Sequence, residues 1–156
     1  MIRIGFSRDV HRLELNGRPL FIGGVRITSV LGPVSHSDGD CLLHAIAEAF
    51  LGSLALGDLG KLFPDTSKDT QDMDSKVILK ECYRRVKEKG YKVVNIDCCV
   101  ILEKPHLQKF LPEIRASVAS LLETDIDNVS IKPQTNEKLS KVDNIECMCS
   151  LLISND

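Results

Sequence analysis

Apolar and polar positions at the start of the chain follow the two-residue period of a strand, and Ile2 to Phe6 begins one. Leu20 to Ile22 and Val25 to Ile27 read as paired strands joined across Gly23-Gly24. The period then turns helical: Leu42, Leu43, Ile46, Phe50 and Leu51 recur on one face, with Ser37 or Asp38 as cap and Gly52 and Gly57 as breakers. Asp58 to Ser67 is expected to be a polar loop. A second helix is predicted from about Asp74 to Lys89, with Val77, Ile78, Tyr83 and Val86 on its buried side and Gly90 as its stop. Val93 to Leu102 reads as a strand, Pro105 to Lys109 as a turn, Pro112 to Leu122 as a third helix, and Val129 to Lys132 and Cys147 to Ile153 as further strands. The pattern predicts one α+β domain over residues 1–156. Its expected architecture is a mixed four-stranded sheet packed on three helices, plus an N-terminal β-hairpin.

Composition narrows the function classes. The chain has 20 Lys plus Arg against 22 Asp plus Glu, so it lacks the basic field that nucleic acid or anionic membranes demand. No apolar run approaches the roughly 18 residues of a membrane span, and the N-terminus reads as a strand rather than a targeting segment. A soluble, cytoplasmic protein is expected. The six cysteines fall in helical or strand patterns without a Cys-x-x-Cys pair and read as small core residues with reduced thiols.

The chemistry concentrates in Asp9-Val10-His11 and in His36-Ser37-Asp-Gly-Asp40 with His44. Side chains alternate along a strand, so Asp9 and His11 point to the same side and can share one ion. His44 would add a third ligand from a helix. Two imidazoles and a carboxylate suit zinc, and three protein ligands leave the fourth position open for chemistry. An Asp-x-His triplet by itself is a common coincidence. Asp40 lies one helical turn before His44, where it either orients the imidazole or stands in solvent.

Four motifs occur together and in order: Asp9-Val-His11, His36-Ser-Asp-Gly-Asp with His44, Leu56-Gly-Asp-Leu-Gly-Lys-Leu-Phe-Pro-Asp65, and Thr135-Asn-Glu-Lys-Leu139. In this order and spacing the chain resembles the 2-C-methyl-D-erythritol 2,4-cyclodiphosphate synthase family of non-mevalonate isoprenoid biosynthesis, nearly end to end. The resemblance implies a lyase that converts 4-diphosphocytidyl-2-C-methyl-D-erythritol 2-phosphate to the 2,4-cyclodiphosphate and CMP. It also implies a homotrimer with active sites between subunits, a zinc ion on Asp9, His11 and His44, and a second divalent cation, magnesium or manganese, on Glu137. His36 and Thr135 take the catalytic role of donors to the transition state. Substrate contacts are implied for Asp9, Val10, His11, His36 and Ser37; for Asp58, Leu59, Gly60, Phe63 and Pro64; for Asp65, Thr66 and Ser67; and for Gln134, Thr135, Asn136 and Glu137. The cytidine segment corresponds to Leu102, Glu103, Lys104, Pro105, His106, Leu107 and Gln108.

Three features depart from the family pattern. His106 stands where a lysine commonly follows the proline, and Ser7-Arg8 replaces the usual Gly-Phe before Asp-x-His. The Gly- and Arg-containing segment usual after the Thr-Glu-Lys-Leu motif is shortened to Ser140-Lys-Val-Asp-Asn144. Arg8 is a candidate to replace the lost arginine, or to pair with Asp143 or another acid. The competing functions are a divergent metal-dependent phosphoesterase and a non-catalytic trimer that binds a nucleotide or an isoprenoid diphosphate.

Overall fold

The computed structural model describes residues 1–64 and 68–156. The first strand, β1 (Ile2–Glu14), is much longer than its apolar start, because the alternation of inward and outward positions continues through polar residues. It lies antiparallel to β7 (Asn144–Ser154) along its length, from Ile2 opposite Ser154 to Arg12 opposite Asn144. On the other side of β7 runs β5 (Lys92–Leu102), also antiparallel, and β6 (Val129–Gln134) pairs parallel with β5. The sheet is therefore mixed, as expected, but among the described residues it has five strands, in the order β4 (Gly32–Pro33), β1, β7, β5, β6. The additional strand, β4 (Gly32–Pro33), pairs only with Leu13 and Glu14. Two residues including a proline carry no periodic signal, and proline is tolerated because β4 forms the edge. The hairpin is as expected: β2 (Leu20–Ile22) and β3 (Val25–Ile27) pair across Gly23 and Gly24, both at positive φ.

Among the described residues four α-helices accompany the sheet, where three are expected. α1 (Cys41–Ser53) packs on β1 and β7, and α3 (Ser75–Glu88) packs on α1. α4 (Leu111–Leu121) lies against β6. The extra element is α2 (Leu59–Leu62), a single turn inside the expected polar loop, capped by Asp58, whose Oδ1 accepts the Lys61 N–H at 3.0 Å. A single turn is too short to show a period. On α3 the buried stripe is Ile78, Leu79, Cys82, Tyr83 and Val86, and Val77, expected inside, is 54% exposed because it lies beside that stripe.

The first helix begins differently from the sequence expectation. Its cap is Asp40, not Ser37 or Asp38. Asp40 is fully buried, and its carboxylate accepts from Leu43 N at 3.0 Å, Gly23 N at 2.9 Å and Gly24 N at 2.6 Å. One side chain thereby closes the start of α1 and fastens the hairpin turn to it. Burial pushes the Asp40 carboxyl up from its ordinary value, against the pull of those three N–H donors. At the middle of α1, close approach to β1 depends on Gly5: a Cβ there would sit 2.0 Å from the Ala49 carbonyl oxygen.

The helices cover one face of the sheet, where Cys98, Cys147, Cys149, Ile145, Leu151 and Ile153 are buried. All six cysteines are free thiols. The opposite face carries Ile2, Ile4, Phe6 and Val10 of β1, all substantially exposed. Arg8, Arg12 and Glu14 share that outward face, while Ser7, Asp9 and His11 face the helices together with Gly5 and Leu13.

Candidate active site

The inward row of β1 runs Gly5, Ser7, Asp9, His11, Leu13, and α1 crosses it so that His44 meets Asp9 and His11. The three ligating atoms lie within 4.8 Å of one another. Asp9 Oδ2 is 3.0 Å from His11 Nε2 and 3.5 Å from His44 Nδ1, and the two rings stand edge to face with centroids 5.8 Å apart. Yet Asp9 Oδ2 and His11 Nε2 are buried without any hydrogen-bond partner, because their close approach lacks hydrogen-bond geometry. Buried polar atoms are rarely left unpaired, and lone pairs converging on one point are what a cation requires. The donor set therefore fits a divalent metal.

Electrostatics agree with that geometry. Burial raises the Asp9 carboxyl, but the close approach of the His11 and His44 imidazoles outweighs it and holds the group well below the usual carboxylate range. For His44, burial lowers the imidazole while Asp9 raises it, and the net direction is upward.

Neither expectation for Asp40 holds: it is buried rather than solvated, only its backbone carbonyl touches His44, accepting the amide N–H at 3.1 Å, and its carboxylate is spent on the helix and hairpin. His44 Nε2 instead lies 2.8 Å from Ser75 Oγ and 3.3 Å from Ser37 Oγ. Sequence reasoning misses Ser75, which follows a helix cap 31 residues away from His44 and carries no motif.

A cleft of about 350 Å³ opens at the metal triad, lined by Asp9, His11, His36, Ser37 and His44 together with Val34, Ser35, Phe63 and Ile78. His36 Nε2 is buried there without a partner, ready to meet a ligand. The Val10 side chain points to the opposite face of β1. Asp58 stands exposed at the start of α2, and Leu59 N donates to Glu48 Oε1 at 3.4 Å, while Glu48 Oε2 accepts from Ser7 Oγ at 3.0 Å. Glu48 thus ties the strand of Asp9 and His11 to the segment of Asp58, Leu59 and Gly60. Pro64 ends this described stretch, and Asp65, Thr66 and Ser67 lie outside the described residues.

The remaining candidates gather elsewhere. Leu102, His106, Leu107, Gln108, Gln134 and Thr135 line one cavity with Pro133, and Glu103, Lys104, His106, Thr135, Glu137 and Lys138 line an adjoining one. Neither shares a residue with the cleft at the metal triad. The Lys104–Pro105 bond is cis, and a short 3₁₀ turn follows at Gln108–Phe110. Glu103 Oε1 accepts from Asn136 N at 2.9 Å and Lys138 N at 3.0 Å, so the segment expected to hold cytidine also clamps the loop of Thr135 and Glu137. Glu137 and Lys138 in that loop both have positive φ. The Glu137 carboxylate is exposed, receives the Thr135 hydroxyl at 3.3 Å, and belongs to no three-ligand cluster among the described residues. Arg8 pairs with Glu146 across β1 and β7 rather than with Asp143.

The fold and the site define an α+β protein with a three-residue candidate metal site opening on a cleft. Residues 2–154 match the YgbB family, and the chain belongs to it. Curated relatives bear the name 2-C-methyl-D-erythritol 2,4-cyclodiphosphate synthase. That of Actinobacillus succinogenes is 50% identical over 139 residues, covering 89% of this chain and 87% of the relative. That of Leptospira borgpetersenii is 46% identical over 157 residues and covers 98% of both. Among solved structures, a 2C-methyl-D-erythritol-2,4-cyclodiphosphate synthase in a CDP-bound form superposes with a TM-score of 0.92 at 34% identity, over 97% of this chain and all of that one. The Plasmodium falciparum IspF–CDP complex gives 0.85 at 31% identity, over 97% and 95% of the two chains.

Proposed function

We propose that this chain, as one domain over residues 1–156, closes the cyclic diphosphate of 2-C-methyl-D-erythritol in isoprenoid biosynthesis. The substrate is 4-diphosphocytidyl-2-C-methyl-D-erythritol 2-phosphate. An oxygen of the 2-phosphate attacks the β-phosphorus, the bond from that phosphorus to the bridging oxygen breaks, and CMP leaves with the bonding electron pair. The reaction needs no protein nucleophile, since the attacking phosphate is already anionic. The protein's work is to bring anions together and to neutralise the charge that shifts to the leaving group.

The observation that carries this reading is the convergence of Asp9, His11 and His44, with two buried unpartnered atoms, in one cleft with the unpartnered His36 Nε2. When bound, zinc on this triad and magnesium or manganese on Glu137 would supply Lewis-acid polarisation of the diphosphate. His36 and Thr135 donate hydrogen bonds to phosphate oxygens, a role in which a lost donor costs on the order of 3 kcal/mol of barrier. Asp58 and Gly60, with Asp65, receive the methylerythritol hydroxyls. The segment from Leu102 to Gln108 holds cytidine, with His106 and Lys104 as its cationic or hydrogen-bonding side chains.

The working unit is a homotrimer. Its support is twofold: the exposed apolar row Ile2, Ile4, Phe6 and Val10 needs a cover, and the two groups of site residues line separate cavities within one chain. A cytoplasmic location fits six free thiols and the absence, among the described residues, of any helix long and apolar enough to cross a membrane.

Incubation with the cytidyl substrate, zinc and magnesium tests the function by the products. CMP and the cyclic diphosphate in equal amounts are expected. A linear phosphate product would convert the assignment to a phosphoesterase, and nucleotide binding without turnover would convert it to a binding module.

A further inference from the structure

Ser75 and Asp38 lie behind the metal triad, and their hydrogen bonds run in one direction only. Asp38 Oδ2 accepts the Ser75 N–H at 2.9 Å, and Asp38 Oδ1 accepts the Asp40 N–H at 3.1 Å and also the Ser75 hydroxyl. A carboxylate offers acceptors alone, so the single hydroxyl proton of Ser75 is committed to Asp38. Ser75 Oγ, 2.8 Å from His44 Nε2, must then accept from that nitrogen. The imidazole proton therefore sits on Nε2, and the lone pair is left on Nδ1, which faces Asp9 Oδ2 at 3.5 Å. Ser37 Oγ, at 3.3 Å, takes a weaker share of the same proton.

We infer that Ser75, locked by Asp38, is the positioning residue that fixes the ring plane and tautomer of His44 so that Nδ1 is presented to the metal. The inference rests on the reading of Asp9, His11 and His44 as a metal centre. Ser75 suits the task because it is wholly buried at the first position of α3, where Asp74 caps the helix and α3 packs on α1. Ring and hydroxyl are thus held by two packed helices, while Asp38 comes from the segment leading into α1. If the Ser75 acceptor is removed, the opposite tautomer becomes available. Its Nδ1–H would donate to Asp9 and close the triad on itself. Partners of this kind typically change metal affinity by about 10- to 100-fold.

The test is zinc affinity of the full-length protein, stripped of metal and titrated with zinc against a competing chelator, alongside ¹⁵N shifts of the His44 ring. The zinc dissociation constant is expected to rise about 10- to 100-fold in Ser75→Ala. The metal-free wild type should show the proton on Nε2, and the variant should show a growing Nδ1–H population. Asp38→Ala should weaken zinc binding too, although it keeps the Ser75 hydroxyl. With its carboxylate acceptor gone, the serine proton is free to turn toward His44 Nε2, so this variant carries the test if Ser75→Ala fails to fold. A purely structural role would lower the melting temperature but leave zinc affinity and tautomer unchanged, and that result overturns the inference. Failure of the wild type to bind zinc is a separate outcome, which overturns the metal centre and the inference with it.

Discussion

On β1 the side chains that face the helices are Ser7, Asp9 and His11 between Gly5 and Leu13, so the covered side of this strand is its polar side. Burying such groups is unfavourable unless each finds a partner. Ser7 finds Glu48, whereas Asp9 and His11 converge with His44. His44→Ala removes one of the three proposed ligands and is expected to abolish tight zinc binding, as metal analysis of the purified variant would reveal; full zinc occupancy with normal turnover would take His44 out of the ligand set. Asp40 presents the contrasting case of a buried acid used for structure. Replacing it by alanine forfeits a helix cap and leaves the N–H groups of Gly23 and Gly24 unsatisfied. A loss of about 3 kcal/mol is expected in denaturant unfolding. Since its carboxylate does not reach His44, zinc affinity in the folded Asp40→Ala protein should fall far less than in His44→Ala.

At the scale of elements, the loop of Thr135 to Lys138 and the segment of Leu102 to Gln108 act as one unit, joined by the Glu103 carboxylate. That unit stands apart from the cleft of Asp9, His11 and His44, so the two proposed metal functions separate experimentally. Glu137→Gln keeps the size of the side chain but removes its charge, and carboxylate oxygen is what a hard cation prefers. The variant should retain zinc and lose most turnover. Full activity at low magnesium would withdraw Glu137 from the second site. Local chemistry also explains which elements are legible in the sequence. Asp-x-His on a strand and the helical spacing of α1 impose their own geometry, and the hairpin announces itself through Gly23-Gly24. The strand β4 and the single turn α2 are too short for a period. Ser75, Glu48 and the clamp of Glu103 act through contacts between distant segments, for which a single sequence carries no signal. The shared motif names Asp40 but not its task, because a cap and a ligand-orienting acid occupy the same position relative to His44.

At the scale of the molecule, the outward face of β1 and the division of the site point to the same assembly. Ile2, Ile4 and Phe6 are each more than 60% exposed, an apolar row that water alone would not favour on a long strand. A closed ring of three chains would cover such faces and could set the cleft of one subunit against the Glu137 loop of its neighbour. The arrangement makes a quantitative prediction for mixed trimers. His11→Ala removes the zinc side and Glu137→Ala the loop side, so each variant alone is inactive. In a random equimolar mixture, a site is complete when its zinc side comes from a Glu137→Ala chain and its loop side from a His11→Ala chain. About a quarter of all sites meet both conditions in a heterologous ring. Double tagging excludes the two inactive homotrimers and leaves one complete site in each ring, so co-expressed, doubly tagged trimers should regain roughly a third of wild-type CMP release per site. If both halves of the site came from the same chain, every site would carry one lesion or the other. Verified mixed trimers would then show no recovery, and the shared-site assembly would have to be abandoned.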